Sequence, residues 1–392
     1  MIDVLRRIAA INIREMIRIR SRAIYLFTTL ILPISSFLIF LAIFSAGVIR
    51  EMPAAVVDLD QTALSRQLVR MIDASPSVTV KYKPMTLGEG ESLMYKSDVY
   101  ACVVIPKNFE RDVNLLRAPK VYNYYNNQYL LIGGTMYKEV YAAVKTLSAG
   151  VSISVRMKKG EPYSQVMTSI QPIEVQTHVL FNPYTNYLYY LAGSLLPNML
   201  HIFVILTAIL AFGSELKDKT AGELWRMSGG SFMVTVIGKY LPYLAIFMID
   251  ALLMHTLLFK FYALPLRGSF DVILLATFMF IVAYLAMGLF YVTVAAHLRM
   301  ALMAASFYAS TAYTFIGMTF PIIAFPIPAK IWAYCLPLTH FMKIFINESI
   351  AGIPHSFSIV PFLFLCIFIL LPCTVAFRFR RIMSEEKYWG KQ

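Results

Sequence analysis

The sequence predicts an α-helical polytopic membrane protein, with six transmembrane helices plus an α/β extracytoplasmic domain. Three observations carry that reading. Of 392 residues, 58% are hydrophobic and 15% charged, against about 45–50% and about 25% in soluble domains. The excess lies in long apolar blocks, several of which reach the roughly 20 residues that a bilayer-spanning helix needs. Between the first two blocks, residues 49–186 are instead polar and near-balanced in charge, with 15 Lys+Arg and 12 Asp+Glu. A net charge of +13 would suit nucleic acid. The cations, however, sit at the ends of the apolar blocks and form no aromatic-interleaved patch, so nucleic acid is excluded as a partner and the lipid membrane takes its place.

Residues 1–23 read as a basic amphipathic helix, in which Arg6, Arg7, Arg14, Arg18, Arg20 and Arg22 interleave with Leu5, Ile8, Ile11, Met16 and Ile19. Such a helix lies in the cytoplasmic interface, cations toward anionic headgroups. The first span, 24–48, follows directly. It is too long for the apolar core of a cleaved signal peptide, so it is expected to remain as an anchor.

The 49–186 segment alternates strand and helix. Ala54 to Val57, Ser77 to Lys83, Val99 to Ile105 and Val121 to Tyr125 read as strands, the third stopped by Pro106. Asp60 or Thr62 can cap a helix whose apolar face is Leu64, Leu68, Met71 and Ile72. Weaker helices are expected over 86–97 and Asn108 to Leu116, and a long one over about Gln128 to Met157. That alternation implies a small α/β domain.

Five further spans are expected within 187–377, at roughly 187–212, 235–264, 270–296, 300–325 and 357–377. Pro33, Pro197 and Pro242 suggest kinked spans. The stretch 326–356 is broken by Pro326, Pro328, Pro337 and Pro354 and fits two short interfacial helices near the outer surface, with Lys343 and Glu348 in water. Residues 378–392 form a cytoplasmic tail. With the N-terminus inside, the cytoplasmic stretches hold 16 cations and the short outer ones four. The positive-inside rule, from which long domains are exempt, therefore places both termini in the cytoplasm and 49–186 outside.

The chemistry that the sequence omits is informative. Of the four cysteines, Cys102, Cys335, Cys366 and Cys373, only Cys102 lies in the polar segment, which therefore holds no internal disulfide. No close Cys/His cluster has zinc-ligand spacing. The polar segment has no histidine except His178 at its edge, so a Ser-His-Asp set lacks its base. Its tyrosines, Tyr122, Tyr124, Tyr125 and Tyr129, read as packing or as a binding platform. No phosphate-loop motif occurs, and Gly238-Lys239 lacks the upstream glycine. The chain is thus not expected to be an enzyme or to hold a cofactor.

Several ordered patterns resemble a known family. Val56-Val57-Asp58-Leu59-Asp60 followed by Leu64-Ser65-Arg66-Gln67-Leu68, then Val103 to Phe109 with its Ile-Pro-x-x-Phe core, then Phe181-Asn182-Pro183 leading to Asn186-Tyr187, are similar to successive segments of permeases of type-2 ABC exporters. The resemblance extends through Glu215 to Trp225, Gly238-Lys239-Tyr240, and Pro337 to Phe341 with Gly352. It covers essentially the whole chain and fits the branch with a large external domain after the first span. Ala221-Gly222-Glu223-Leu224-Trp225 departs from the family's Gly-Thr-Leu-Glu order.

The resemblance implies a transmembrane subunit of an ATP-driven exporter in a bacterial inner membrane, moving a hydrophobic or amphipathic substrate such as a drug or lipid. Its partners would be a separate ABC ATPase subunit that binds the ATP, a second permease chain, identical or related, and a periplasmic adaptor protein where one completes the path. Loop 214–230 would couple to the ATPase through Glu215, Lys219, Gly222, Glu223 and Trp225. As a helix it would pair Glu215 with Lys219 and Lys219 with Glu223. Trp225 reads as a docking anchor or an interfacial belt residue.

Polar residues inside spans default to functional candidates. Here they are Asn198 and His201 in the second span and Asp250 and His255 in the third. Asp250 and His255 are five apart, about 140° around a helix, so helix–helix bonding or a cavity lining fits them better than a proton relay. The alternative readings are an ATPase-free surface or assembly protein sharing the permease fold, and a membrane sensor. Six spans and the absence of a signalling domain weigh against the sensor.

Overall fold

The computed structural model describes residues 2–115, 117–170, 178–183 and 185–390. The chain divides into two compact units, Met1–Gly47 with Tyr187–Gln392, and Val48–Asn186.

The first unit is helical. An N-terminal helix, Ile2–Ser21, ends where Arg22 turns extended. Among the described residues, five helices are long and apolar enough to cross a membrane: span 1 (Ala23–Ile43), span 2 (Leu188–Lys217), span 3 (Phe232–Phe261), span 4 (Phe270–Ala295) and span 5 (His355–Ser384). Span 1 carries one widened turn, Phe27–Ile31, just ahead of Pro33. Proline cannot donate to the carbonyl four residues back, and a widened turn absorbs that loss. Pro197 and Pro242 are held within spans 2 and 3. Spans 2 and 4 are 67% buried across their apolar windows and span 5 only 17%, which makes spans 2 and 4 the centre of the bundle. Gly288 permits their close approach, since a side chain there would collide with Ala208 and stand 3.1 Å from the Ile205 carbonyl.

Three expectations are corrected here. In the block 300–325 the α-helix is Leu298–Phe315, 18 residues, and only a single 3-10 turn, Ile322–Ala324, follows it. Gly317 at φ +85° and Pro321 end the α-helix, and Arg299, Tyr308, Tyr313 and several hydroxyls dilute its apolarity. The last span does not stop at 377, because its helix continues to Ser384. Glu348 is fully buried rather than wet. It accepts from the Ser269 amide at 2.9 Å, at the start of span 4, and pairs with His355 Nδ1 at 2.8 Å. Its neighbourhood is the expected broken stretch, helices Ile327–Tyr334 and Pro337–Ile346, stopped by Gly352 at φ +63°.

The second unit is α/β. Strands β1 (Met52–Asp58), β2 (Val78–Tyr82), β3 (Ala101–Ile105) and β4 (Tyr122–Tyr125) form one sheet in the order β2-β1-β3-β4. β1 runs parallel to β2 and β3, and β4 antiparallel to β3. Both faces of β1 and β3 are buried, which explains their unbroken apolar runs. Ala54, Val56, Val103 and Ile105 pack with Leu68 and Ile72 of helix Ala63–Asp73 and Met136 and Val140 of helix Leu130–Lys158. Ala55, Val57, Cys102 and Val104 pack with Leu87 and Leu93 of helix Leu87–Tyr95. Thr62, rather than Asp60, caps Ala63–Asp73 in a reciprocal box with Ser65. Helix Phe109–Asn114 stops short of Leu116, which lies outside the described residues.

Candidate coupling site

The N-terminal helix buries one stripe, Ile11, Glu15, Arg18 and Ile19. Their spacing of four, three and one sets them on one side of the helix. The stripe lies on span 3, where Gly238 has no room for a side chain: a Cβ would stand 3.0 Å from Ile11 Cβ and 3.3 Å from the Ile8 carbonyl. Close backbone approach is what this glycine provides, and the next residue, Lys239, supplies the charge.

Around Lys239 lies a buried ion cluster. Its Nζ is 2.5 Å from Glu15 Oε2 and 2.8 Å from Glu215 Oε1, and all three side chains are fully buried. Arg14 clasps Glu215 with both terminal nitrogens, at 2.7 and 3.0 Å. Arg18 reaches the same carboxylate at 2.5 Å. Tyr243 on span 3 donates to Glu15 Oε1 at 2.7 Å, and Thr220 donates to Glu215. Bringing such charges out of water costs several kcal/mol per ion unless partners and hydrogen bonds fill every position. Three cations and two carboxylates on three elements meet that requirement together, and the two-pronged Arg14 contact is its most directional part. Farther along, Tyr25 shares a 2.7 Å bond with Ser214, and Arg22 pairs with Asp218 at 2.6 Å.

Segment 214–230 is therefore not a single helix. Residues 214–217 are the last turn of span 2, residues 218–220 turn, and a seven-residue helix, Ala221–Met227, follows. Lys219 sits in the turn at φ +62°, a left-handed backbone, so the i,i+4 geometry expected around it does not form. Glu215 pairs with Arg14, Arg18 and Lys239 instead of Lys219. Of the expected coupling residues, only Lys219 and Glu223 are exposed, joined by Lys217, Asp218 and Arg226. Ala221, Gly222 and Leu224 face inward. Trp225 is half-buried, its ring edge-on to Phe379 of span 5 at 6.2 Å, which favours a packing role over a free docking anchor.

The intramembrane polar residues fall elsewhere. His201 is buried with its ring 4.7 Å from that of Tyr284 of span 4, and Asn198 is buried one turn before it. His255 shares a 2.9 Å bond with Thr277 of span 4, within a nest of Phe259, Phe270 and Phe345. Its partner is thus a hydroxyl on the next span and not Asp250, which lies buried in span 3. His255–Thr277 is a helix–helix tie of the expected kind.

Sequence reasoning missed Glu15 as half of a buried pair. One signal was present: it is the only acid between Asp3 and Glu51, set among arginines. It also missed the stretch after span 5. Trp389 packs on Gly222, and the Gly390 amide donates to the Leu216 carbonyl at 2.8 Å.

No curated protein and no solved structure matches the chain. A family model described as ABC-2 family transporter protein matches residues 23–378, from the first residue of span 1 into the last turns of span 5. With its membrane-spanning helices and a match over most of its length, the chain belongs to the ABC-2 family of transporter membrane proteins.

Proposed function

We propose that this permease is the transmembrane subunit of an ATP-driven exporter, coupled to a separate ABC ATPase subunit through the helix Ala221–Met227. The observation that carries the reading is the mounting of that helix. It presents Glu223 and Arg226 outward, while the turn before it is tied through Glu215 to span 3 and the N-terminal helix. A push on the exposed face is delivered to three elements at once, because the buried cluster resists separation. That is the mechanical requirement for converting closure of an ATPase into rearrangement of spans.

The topology that fits is six crossings in a bacterial inner membrane. Leu298–Phe315 serves as the extra crossing: 18 residues rise about 27 Å, close to the hydrocarbon thickness of about 30 Å. It packs on spans 2 and 4, so protein rather than lipid meets much of its polar surface. The distribution of cations then sets the N-terminal helix, the coupling helix and residues 385–390 in the cytoplasm and the α/β unit outside. The substrate is a hydrophobic or amphipathic molecule, and a second permease chain completes the pathway. The test is solubilisation of the tagged chain in mild detergent, followed by assay of the purified material for ATP hydrolysis. A co-purified ATPase supports the reading, and its absence under every gentle condition removes it.

A further inference from the structure

The coupling helix is too short to hold itself in place. Isolated helices below about 12–15 residues are marginal in water, and this one has seven. Its inward face offers Ala221, Gly222 and Leu224, with Trp225 and Met227 half-buried beside them. Its position must therefore come from what packs against that face.

One such contact is Trp389. Its ring covers Gly222 so closely that a Cβ there would collide with the indole, with Cζ2 at 3.0 Å and Cζ3 at 3.2 Å. Glycine is a poor helix former, and the covering ring accounts for one in the first turn. The indole is fixed in turn: Nε1 donates to the Ile382 carbonyl at 3.0 Å. The next residue, Gly390, sits at φ +73° and binds the last turn of span 2 through the Leu216 carbonyl. At the other end of the helix, the Arg7 guanidinium lies where a side chain on Gly229 would be. A cation there suits the negative end of the helix dipole. Trp389 and Arg7 thus grip the two ends of the helix from segments far apart in sequence.

We propose that Trp389 is a positioning residue for coupling, a wedge that sets the seat of Ala221–Met227 so that Glu223 and Arg226 meet the ATPase subunit. This rests on the coupling reading above. The test uses the full chain with its co-purified ATPase and the variants Trp389→Ala, Trp389→Phe, Gly222→Ala and the double Gly222→Ala/Trp389→Ala. Hydrogen exchange of the 221–227 amides in the purified chain is the first readout. Trp389→Ala and Gly222→Ala should each speed that exchange by roughly tenfold, with Trp389→Phe intermediate. The second readout is ATP turnover per bound ATPase. It should fall in both single variants, and the double should be no worse than Trp389→Ala, because the methyl group added at position 222 fills space the ring has left. Wild-type exchange in both single variants overturns the wedge. So does faster exchange with unchanged ATP turnover, which would make Trp389 a structural contact only. If wild type carries no ATPase, the coupling reading fails, while the exchange readout still decides whether Trp389 seats the helix. Trp389→Phe keeps the test open should Gly222→Ala misfold.

Discussion

Lys239 of span 3 and Glu15 of the N-terminal helix, 224 positions apart, meet with Nζ and Oε2 at 2.5 Å, and neither side chain is exposed. The contact fixes the N-terminal helix to span 3. Lys239→Ala would leave Glu15 and part of Glu215 without their shared cation. Breaking a buried pair from one side costs about 3–5 kcal/mol, so thermal unfolding in detergent should show a marked loss of stability. Lys239→Arg should recover part of it.

Asp250→Asn is the contrasting case. Asp250 is buried outside the cluster, and the pairing that holds Glu15 and Glu215 does not depend on it. The change keeps the shape and removes a charge, so folded yield should hold or rise, in opposition to Lys239→Ala. Fluorescence-detected size exclusion of the two variants side by side checks this.

Gly288→Val would force spans 2 and 4 apart at Ala208 and the Ile205 carbonyl. Overpacking costs typically about 1–3 kcal/mol, and here it falls at the most buried helix pair. A lowered unfolding temperature is expected, with Gly134→Val in helix Leu130–Lys158 as the control, since open space surrounds Gly134.

The α/β unit should carry an acid-sensitive joint at Asp60. Slight burial pushes its carboxyl up, but the Glu110 amide, the Thr62 hydroxyl and the Phe109 and Asn108 amides outweigh this and hold it below the ordinary carboxylate value. A depressed folded-state pKa contributes stability that is present above the unfolded value and is lost as pH falls through the folded one. Hydrogen exchange over 105–114 should therefore quicken as pH drops below 3.8, after correction for intrinsic rates. Asp60→Asn should flatten that dependence.

Sidedness can be read by impermeant thiol labelling in a background without the native cysteines, three of which are exposed. Lys219→Cys should label only in inside-out vesicles and Lys96→Cys only in right-side-out ones. The reverse pattern would invert the proposed topology.

Much of the fold was legible because local pattern decides it. The four strands and the helix bearing Leu68 and Ile72 follow from apolar spacing and the Thr62 cap. The block at 300–325 was overextended because the residues after Phe315 look apolar, while Gly317 and Pro321 end the helix there. The local structure of segment 214–230 was wrongly built. An i,i+4 pair assumes a continuous helix, and the left-handed Lys219 breaks it. The partners of Glu215 come from residues 14, 18 and 239, and Gly222 owes its place to residue 389. Contacts at those separations leave no periodicity to read.

The most direct measurement is a quantitative pull-down of the tagged chain against Glu223→Ala/Arg226→Ala, which removes two exposed charges of the coupling helix and, with Glu223, a long 3.8 Å pairing to Arg14. The proposed coupling predicts that the ATPase is retained by wild type and lost, or bound but slowed in turnover, in the double variant, with the permease still folded. Equal ATPase content and equal turnover in both would contradict it.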